Sequence, residues 1–354
     1  MRKLSLLAFA IVSLFMTVSS LCAAPAPRLR IITTTFPLYD WTRQILGKHV
    51  GEVELIQLQD NGIDLHNYQP TVRDIARISQ CDLFIFVGGE SDEWVEKALR
   101  SPRNTKRITL NLIKELGDAV QEEEPLEGME GHAHHHHHDH DKKHDHGDDH
   151  DKKHDHGDDH GKKHDHDGDH DEDEHEADEH IWLSLRCATT LCQVIAAKLS
   201  ELDKANAAEY QANCRAYSEK LLALDKSYKE AVAASARKTL LFADRYPFRY
   251  MANDYGLTCF AAFSGCSAET EASFKTIAFL ARKVDECKLR FVLVLENRQH
   301  RIAETVVRTA KSKGVGILTL DSLQATTSRD AANGKSYLNV MEMNLAILKK
   351  ALGN

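Results

Sequence analysis

The sequence lacks the motifs that mark several common functional classes. It holds eight cysteines but no Cys-x-x-Cys pair, which argues against zinc-ribbon and thioredoxin-like proteins. It has no Gly-x-Ser-x-Gly, Walker A or Gly-x-Gly-x-x-Gly pattern, the local signatures of α/β-hydrolases, P-loop proteins and dinucleotide-binding enzymes. The formal net charge is -9 at pH 7, which argues against nucleic acid as the main partner. We therefore expect neither an enzyme nor a nucleic-acid-binding protein.

Apolar runs long enough to cross a membrane are also missing. The run from Leu4 to Val18 follows Arg2 and Lys3 and is too short for a comfortable span, so residues 1–26 are predicted to be a secretory signal peptide. We expect an exported chain, periplasmic or lipid-anchored outside the cytoplasmic membrane. Cys22 lies where a bacterial lipoprotein carries its acylated cysteine, although the residues before it match that signal poorly.

The cysteines beyond Cys22 are scattered and odd in number. An exported protein can form disulfides, and Cys259 and Cys266 are the closest plausible loop-closing pair. Buried free thiols explain the same residues equally well. The disulfide pattern therefore stays open at this point.

Histidine is abundant, with 21 residues in the chain, and 17 of them lie between positions 132 and 175. This acidic stretch carries a ten-residue repeat beginning Lys-Lys-His-Asp-His and almost no apolar side chains, so it cannot form a core. We predict a disordered loop at 121–177 that binds metal at many weak sites, since imidazole and carboxylate are good ligands for zinc, copper, nickel and cobalt. A solvated spacer is the alternative. The histidines assigned this accessory role are His134, His135, His136, His137, His138, His144, His146, His154, His156, His164 and His166.

Outside the loop, apolar segments alternate between strand-like and helix-like patterns. The short apolar run at 81–87 is typical of a parallel strand buried on both faces, and the alternation predicts an α/β fold built from βαβ units. Strands are predicted at 29–35, 53–58, 81–87, 239–243, 290–295 and 316–320. Helices are predicted at 38–46, 71–78, 207–234, 248–254, 271–286, 301–313 and 337–352.

Four histidines lie outside the loop, and a defined metal site needs ligands that converge from separate elements. His66 lies in a turn after a predicted strand, where α/β proteins bind ligands. His180 begins an apolar run directly after the loop. We expect His49 to be exposed and His300 to lie at the surface.

Several segments carry a family resemblance. Residues 62–68 (Gly-Ile-Asp-Leu-His-Asn-Tyr) resemble the Gly-x-Asp-Pro-His-x-Tyr motif of the zinc- and manganese-binding substrate-binding proteins of bacterial metal ABC transporters, with Leu65 in place of proline. Residues 178–184 (Asp-Glu-His-Ile-Trp-Leu-Ser) are similar to a second, highly specific motif. Residues 294–296 and 318–321 are similar to two strands that end in binding-site carboxylates. The His-rich insertion is typical of the zinc subgroup.

The resemblance implies two α/β lobes, each a parallel-type sheet flanked by helices, joined by one long rigid helix, with metal buried between the lobes. The boundaries expected are 27–200 for the N-terminal lobe, 201–237 for the linking helix and 238–354 for the C-terminal lobe. The implied ligands are His66, His180 and Asp321. Glu296 is implied to lie next to these ligands without binding the ion itself.

One position departs from the family pattern. The family places a third ligand, His or Glu, eleven residues before the glycine of a Tyr-Gly-Leu segment, and here that position is Arg245. Arginine stays protonated and cannot bind a cation. Three outcomes remain: Asp244 replaces the ligand, which we favour; three protein ligands act with water; or the site is degraded and the loop alone binds metal.

The resemblance implies a protein that captures zinc, with manganese as the alternative, and delivers it to an ABC permease. A monomer is expected. The rival interpretation is a secreted His-rich metal buffer or metallochaperone without a transporter. A zinc hydrolase is disfavoured, because His175 and His180 are five residues apart, whereas a zincin helix needs a spacing of four.

Overall fold

The structure is a computed structural model that describes residues 28–100, 102–129, 177–267, 271–296 and 300–353. The predicted signal peptide, Cys22 and all of the accessory histidines lie outside these ranges. Within them, no helix combines the length and the apolar character that crossing a bilayer requires.

The first half of the chain forms a sheet of four parallel strands in the order β2-β1-β3-β4. One of its two central strands, at Leu83–Phe86, is buried along its whole length, as the apolar run at 81–87 predicts. The strands are β1 Arg30–Thr33, β2 Glu54–Gln57, β3 Leu83–Phe86 and β4 Ile108–Asn111. The helices are α1 Phe36–Leu46, α2 Val72–Gln80, α3 Trp94–Leu99 and α4 Leu112–Leu116.

Two helices connect this half to the next, α5 Leu185–Leu202 and α6 Ala207–Ala234. With 28 residues, α6 is about 42 Å long at 1.5 Å per residue. Its buried residues recur at steps of three and four and form one stripe: Tyr210, Cys214, Tyr217, Leu221, Leu224 and Tyr228.

The second half repeats the first topology, with four parallel strands in the order β6-β5-β7-β8. The strands are β5 Thr239–Tyr246, β6 Thr258–Ser264, β7 Phe291–Leu295 and β8 Gly316–Leu320. The helices are α7 Arg249–Tyr255, α8 Phe274–Glu286, α9 Arg301–Thr309, α10 Ser328–Ala332 and α11 Tyr337–Leu352.

The long helix α6 packs against α1 and α5 on one side and against α11 on the other. One continuous apolar cluster accordingly contains side chains from both sheets, among them Ile31, Leu221 and Phe242. The fold class predicted from the sequence, two parallel sheets flanked by helices, is confirmed. The exact lobe boundaries stay a prediction.

The helix predicted at 207–234 coincides with α6 in both bounds. The helix predicted at 301–313 ends earlier, at Thr309, because the Asp285 carboxylate accepts the backbone N–H groups of Lys311 and Ser312. Two strands, β4 and β6, were not predicted.

Candidate metal centre

His66 lies in a single helical turn, Leu65–Asn67, that follows β2. The Asp64 side chain begins this turn by accepting the backbone N–H of His66 at 3.1 Å, as a helix N-cap does. The imidazole is fixed by Nδ1, which lies 2.7 Å from the Ser91 hydroxyl and 3.4 Å from a Glu179 carboxylate oxygen. Nε2 is thereby left to point toward the second histidine.

His180 lies directly before the turn Ile181–Leu183 that leads into α5, and its side chain is completely buried. The Asp178 carboxylate accepts the backbone N–H of His180 at 2.8 Å, and the same carboxylate oxygen lies 2.9 Å from Nδ1 of the His180 ring. A carboxylate on Nδ1 fixes the ring orientation in the way seen for metal-binding histidines. Nε2 of His180 is therefore also directed into the centre.

The two Nε2 atoms lie 3.2 Å apart. Two nitrogens bound at about 2.0–2.1 Å to a tetrahedral zinc ion would be separated by about 3.3 Å, so the pair needs almost no rearrangement to hold one. The Gln324 amide completes this side of the centre: turned to suit its neighbours, it donates to Asp64 and accepts from Nε2 of His180 at 2.9 Å.

The pKa values of the two imidazoles are shifted in opposite directions. Burial, reinforced by His180, lowers the pKa of His66 to about 3, so this ring is neutral at physiological pH. Burial also acts to lower the pKa of His180, but Asp178 outweighs it and the net shift is upward. Metal binding requires both Nε2 atoms to be free of protons.

A third donor that sequence reasoning missed completes the group. The ligand atoms of His66, His180 and Cys266 all lie within 4.8 Å of one another. Burial, with the nearby carboxylates of Glu123 and Glu179, raises the pKa of the Cys266 thiol. The thiol is therefore protonated when no metal is bound.

The suggested disulfide between Cys259 and Cys266 is wrong, because all seven described cysteines are free thiols. Strand β6 begins at Thr258 and ends at Ser264, so the two cysteines lie near opposite ends of an extended segment. At about 3.3 Å per residue their separation is roughly 20 Å, far beyond the reach of a disulfide.

Arg245, at the family's third-ligand position, binds the Asp64 carboxylate through its guanidinium group. Both side chains are largely buried. Burial opposes ionisation of Asp64, but Arg245 and His66 outweigh it and lower the pKa of the carboxyl. Arginine thus contributes a paired charge beside the histidines and no ligand atom.

Asp244 is buried, and both of its carboxylate oxygens accept backbone N–H groups. One carboxylate oxygen accepts the N–H of Arg245 at 2.8 Å and the other accepts that of Leu295 at 3.1 Å. Within the described residues, Asp244 is not a member of the group formed by His66, His180 and Cys266. Its assignment as a ligand stays a prediction.

Asp321 and Glu296 form a separate acidic pair. Asp321 accepts from the Lys335 ammonium group at 2.8 Å and from a backbone N–H at 2.8 Å. Glu296 accepts two hydrogen bonds from Ser322 at 2.7 Å, and burial, followed by Asp321, raises the pKa of its carboxyl. Neither acid belongs to the histidine–cysteine group among the described residues, so their ligand roles stay predictions.

A cavity of about 730 Å³ lies between the two halves of the chain. Asp64 lines it from the N-terminal half, and Arg245, Glu296 and Gln324 line it from the C-terminal half. Glu296 of the acidic pair and the Asp64–Arg245 ion pair therefore line one common space.

The two remaining histidines lie outside the centre. His49 was expected to be exposed, but it is only 7% exposed, because its ring packs edge-on against Tyr210 and lies within hydrogen-bond distance of Glu52 and Glu209. These carboxylates raise the pKa of His49. His300 is half-buried just before α9.

Comparison with known proteins finds relatives over nearly the whole chain. The zinc-binding lipoprotein AdcA of Streptococcus pneumoniae serotype 4 is 31% identical over 354 residues, covering 99% of this chain and 61% of the relative. The chain thus spans about three fifths of the length of that relative. The high-affinity zinc uptake system protein ZnuA of Bacillus subtilis is 29% identical over 325 residues, covering 92% of this chain and 88% of the relative.

Among solved structures, the Zn(II)-bound ZnuA-like domain of Streptococcus pneumoniae AdcA superimposes with a TM-score of 0.65 at 26% identity. The superposition covers 92% of this chain and 100% of that domain. Residues 31–351 match the family described as "Zinc-uptake complex component A periplasmic". Since that match extends over almost all of the chain beyond its first thirty residues, the chain belongs to the family of zinc-uptake complex component A.

Proposed function

We propose that this chain binds zinc between its two lobes and delivers it to the permease of an ABC uptake transporter, with manganese as the alternative cargo. Its role is binding and release of an ion, without catalysis. It acts outside the cytoplasmic membrane, in the periplasm or on a lipid anchor, as a monomer.

The observation that carries this proposal is the histidine pair. Two buried imidazoles, each oriented through Nδ1 by a hydroxyl or carboxylate group, direct their Nε2 atoms at each other over 3.2 Å. Neutral imidazole nitrogens at this separation form half of a tetrahedral zinc site. Elements distant in sequence are needed to build it, since His66 and His180 are 114 residues apart.

The relatives support the identity of the cargo and of the partner. The names of the two relatives above refer to zinc binding and zinc uptake, and the family name refers to one component of an uptake complex. A component that binds a buried ion needs a second component to open the lobes and accept the ion, and the proposed permease has that role.

The competing function is metal buffering by the His-rich segment alone. The position of Arg245 favours it, since a positive charge lies where the family has a ligand. The Arg245–Asp64 ion pair reduces that objection, because a paired guanidinium repels a nearby cation less than an unpaired one.

The full chain, stripped with a chelator, tests the proposal by competition titration against a tight-binding chromophoric chelator. Only a site of high affinity competes under these conditions, so weak sites in the His-rich segment are not counted. We expect one zinc ion to compete, and we expect His66→Ala and His180→Ala each to abolish the competition. His300→Ala is the matched control and should compete like the parent.

Manganese is titrated in the same way to decide the cargo. If the parent protein competes for neither metal, or if both histidine variants compete as well as the parent, the interlobe site is not functional and the buffer function replaces it.

A further inference from the structure

Cys266 lies one residue beyond Gly265 at the end of β6, beside the histidine pair. Its Sγ and the ring nitrogens of His66 and His180 are mutually within 4.8 Å. We infer that the Cys266 sulfur is the third protein ligand of the bound ion and that it replaces the ligand lost at Arg245. This inference rests on the proposed function and specifies the chemistry of the same site.

The backbone brings the thiol there by a close approach at Gly265. A Cβ atom at this position would lie 2.8 Å from Cε1 of His180 and 3.0 Å from the carbonyl oxygen of Tyr246. Only glycine lets the chain leave β6 in contact with the His180 ring. The next residue, Cys266, is then held beside the two histidines, and its N–H lies 3.3 Å from a Glu123 carboxylate oxygen.

The vacated position explains why a new ligand is needed. The guanidinium of Arg245 is bound to Asp64, and both oxygens of Asp244 accept backbone N–H groups. Among the described residues, Cys266 places a ligand atom beside the histidine nitrogens. Arg245 and Asp244 do not.

The thiol is also reachable by an incoming ion. Cys266 and His66 line the same cavity, of about 1170 Å³. Its wall includes exposed acidic side chains, Glu90, Glu93 and Glu96 among them, which attract a divalent cation. An ion that enters through this cavity meets the thiol and the first histidine together.

Sulfur ligation has a consequence for the choice of metal. Zinc accepts thiolate and imidazole together at tetrahedral geometry, whereas manganese favours carboxylate, carbonyl and water oxygens. The thiol loses its proton to solvent as the zinc–sulfur bond forms, so one proton leaves Cys266 for each ion bound. A site of two imidazoles and one thiolate therefore selects zinc over manganese and leaves a fourth position for an oxygen donor.

Cobalt(II) reports the sulfur directly, because a cobalt–thiolate bond gives an intense near-ultraviolet charge-transfer band. We would load the chelator-stripped full chain with one equivalent of cobalt and record its spectrum. The band should be present in the parent and in Cys287→Ser, a control thiol remote from the histidines. It should be lost in Cys266→Ser, and the zinc affinity of that variant should fall by roughly 100-fold or more, since loss of even an outer partner typically costs 10–100-fold.

X-ray absorption of the unmodified protein with one equivalent of zinc makes the test independent of any variant's folding. One zinc–sulfur distance of about 2.3 Å is expected. Tight binding with nitrogen and oxygen neighbours only would overturn the role of Cys266 and leave the proposed function intact. Failure of the parent protein to bind zinc tightly would overturn both.

Discussion

The side chain at position 245 carries a positive charge close to the metal centre, and the Asp64 carboxylate neutralises it. Arg245 and Asp64 are largely buried and paired, and Asp64 also begins the turn that carries His66. The pair therefore connects a departure from the family pattern in one half of the chain with the position of a ligand in the other half.

Replacing Arg245 with methionine should destabilise the protein by roughly 3 kcal/mol, because it leaves a buried carboxylate without its partner. Methionine retains most of the apolar stem, so the change isolates the charge. Urea denaturation measures the loss. The double variant Arg245→Met/Asp64→Asn removes both charges while the amide can still begin the turn, and it should regain much of the stability. Equal losses in the single and double variants would contradict the account.

Asp92 carries a second buried carboxyl group and is only 3% exposed. One oxygen accepts the N–H of Gly88 at 3.0 Å, and the other has no hydrogen-bond partner among the described residues. Burial raises the pKa of Asp92 to about 7. The folded protein thus binds a proton that the unfolded chain, with a pKa near 3.8, releases.

This raised pKa predicts that stability falls as pH rises. The contribution of Asp92 is fully present below the unfolded pKa and is lost as pH approaches about 7, at up to about 1.4 kcal/mol per pH unit. Asp92→Asn should flatten the decline in the free energy of unfolding between about pH 4 and pH 7. The exposed Asp118→Asn is the control and should follow the parent. An Asp92→Asn curve parallel to the parent would contradict the raised pKa.

The residues of the site differ in how readily the sequence reveals them. His66 and His180 are identifiable because histidine is scarce outside the loop and because both lie in specific motifs. Cys266 was interpreted as a disulfide candidate, since neither its spacing nor its neighbours in sequence show that Gly265 passes close to His180. Asp244 was favoured as a neighbour of Arg245, but its neighbours in sequence do not show that both of its carboxylate oxygens accept backbone N–H groups.

Among the elements, the long helix α6 shows most clearly what a buried polar group contributes. Tyr228 and Tyr217 lie on the same buried stripe. The Tyr228 hydroxyl donates to the carbonyl oxygen of Met341 in α11 at 2.6 Å, whereas the Tyr217 hydroxyl has no hydrogen-bond partner among the described residues.

These two tyrosines form a matched pair for substitution. Tyr228→Phe should cost about 1 kcal/mol, the typical net contribution of one hydrogen bond. Tyr217→Phe removes a buried hydroxyl that makes no such bond, and it should be neutral or stabilising. Thermal and urea unfolding of both variants measure the difference. A larger loss for Tyr217→Phe would show that α6 packs differently against the two halves.

Element prediction succeeded where the pattern was long or strongly apolar. The helix Ala207–Ala234 has a regular stripe over 28 residues, and β3 is a compact apolar run. Strand β6 was missed because Cys259, Ala261 and Ala262 dilute its content of β-branched and aromatic side chains.

At the scale of the whole molecule, the two halves are joined by more than the helix. Trp182 donates from its indole to the carbonyl oxygen of Ser322 at 2.8 Å, and the Tyr337 hydroxyl donates to the carbonyl oxygen of Trp182 at 2.6 Å. The backbone N–H of Tyr337 also donates to buried Asp40 at 2.8 Å. Since one apolar cluster spans both sheets, the halves should unfold together.

We therefore expect a single cooperative thermal transition, which zinc moves upward. At a free zinc concentration 100 times Kd, ligand binding adds about 2.7 kcal/mol, which corresponds to about 5 °C in a chain of this size. Calorimetric scans with and without zinc measure the shift, and His180→Ala should show none. Two separate transitions, only one of them sensitive to zinc, would contradict the continuous core.

The central claim is that the ion lies between His66 and His180, and anomalous diffraction at the zinc edge tests it most directly. Crystals of the full chain with one equivalent of zinc should show their strongest anomalous peak about 2.0–2.1 Å from Nε2 of both residues. Absence of a peak between the two rings, with zinc bound elsewhere in the same crystals, would contradict the account.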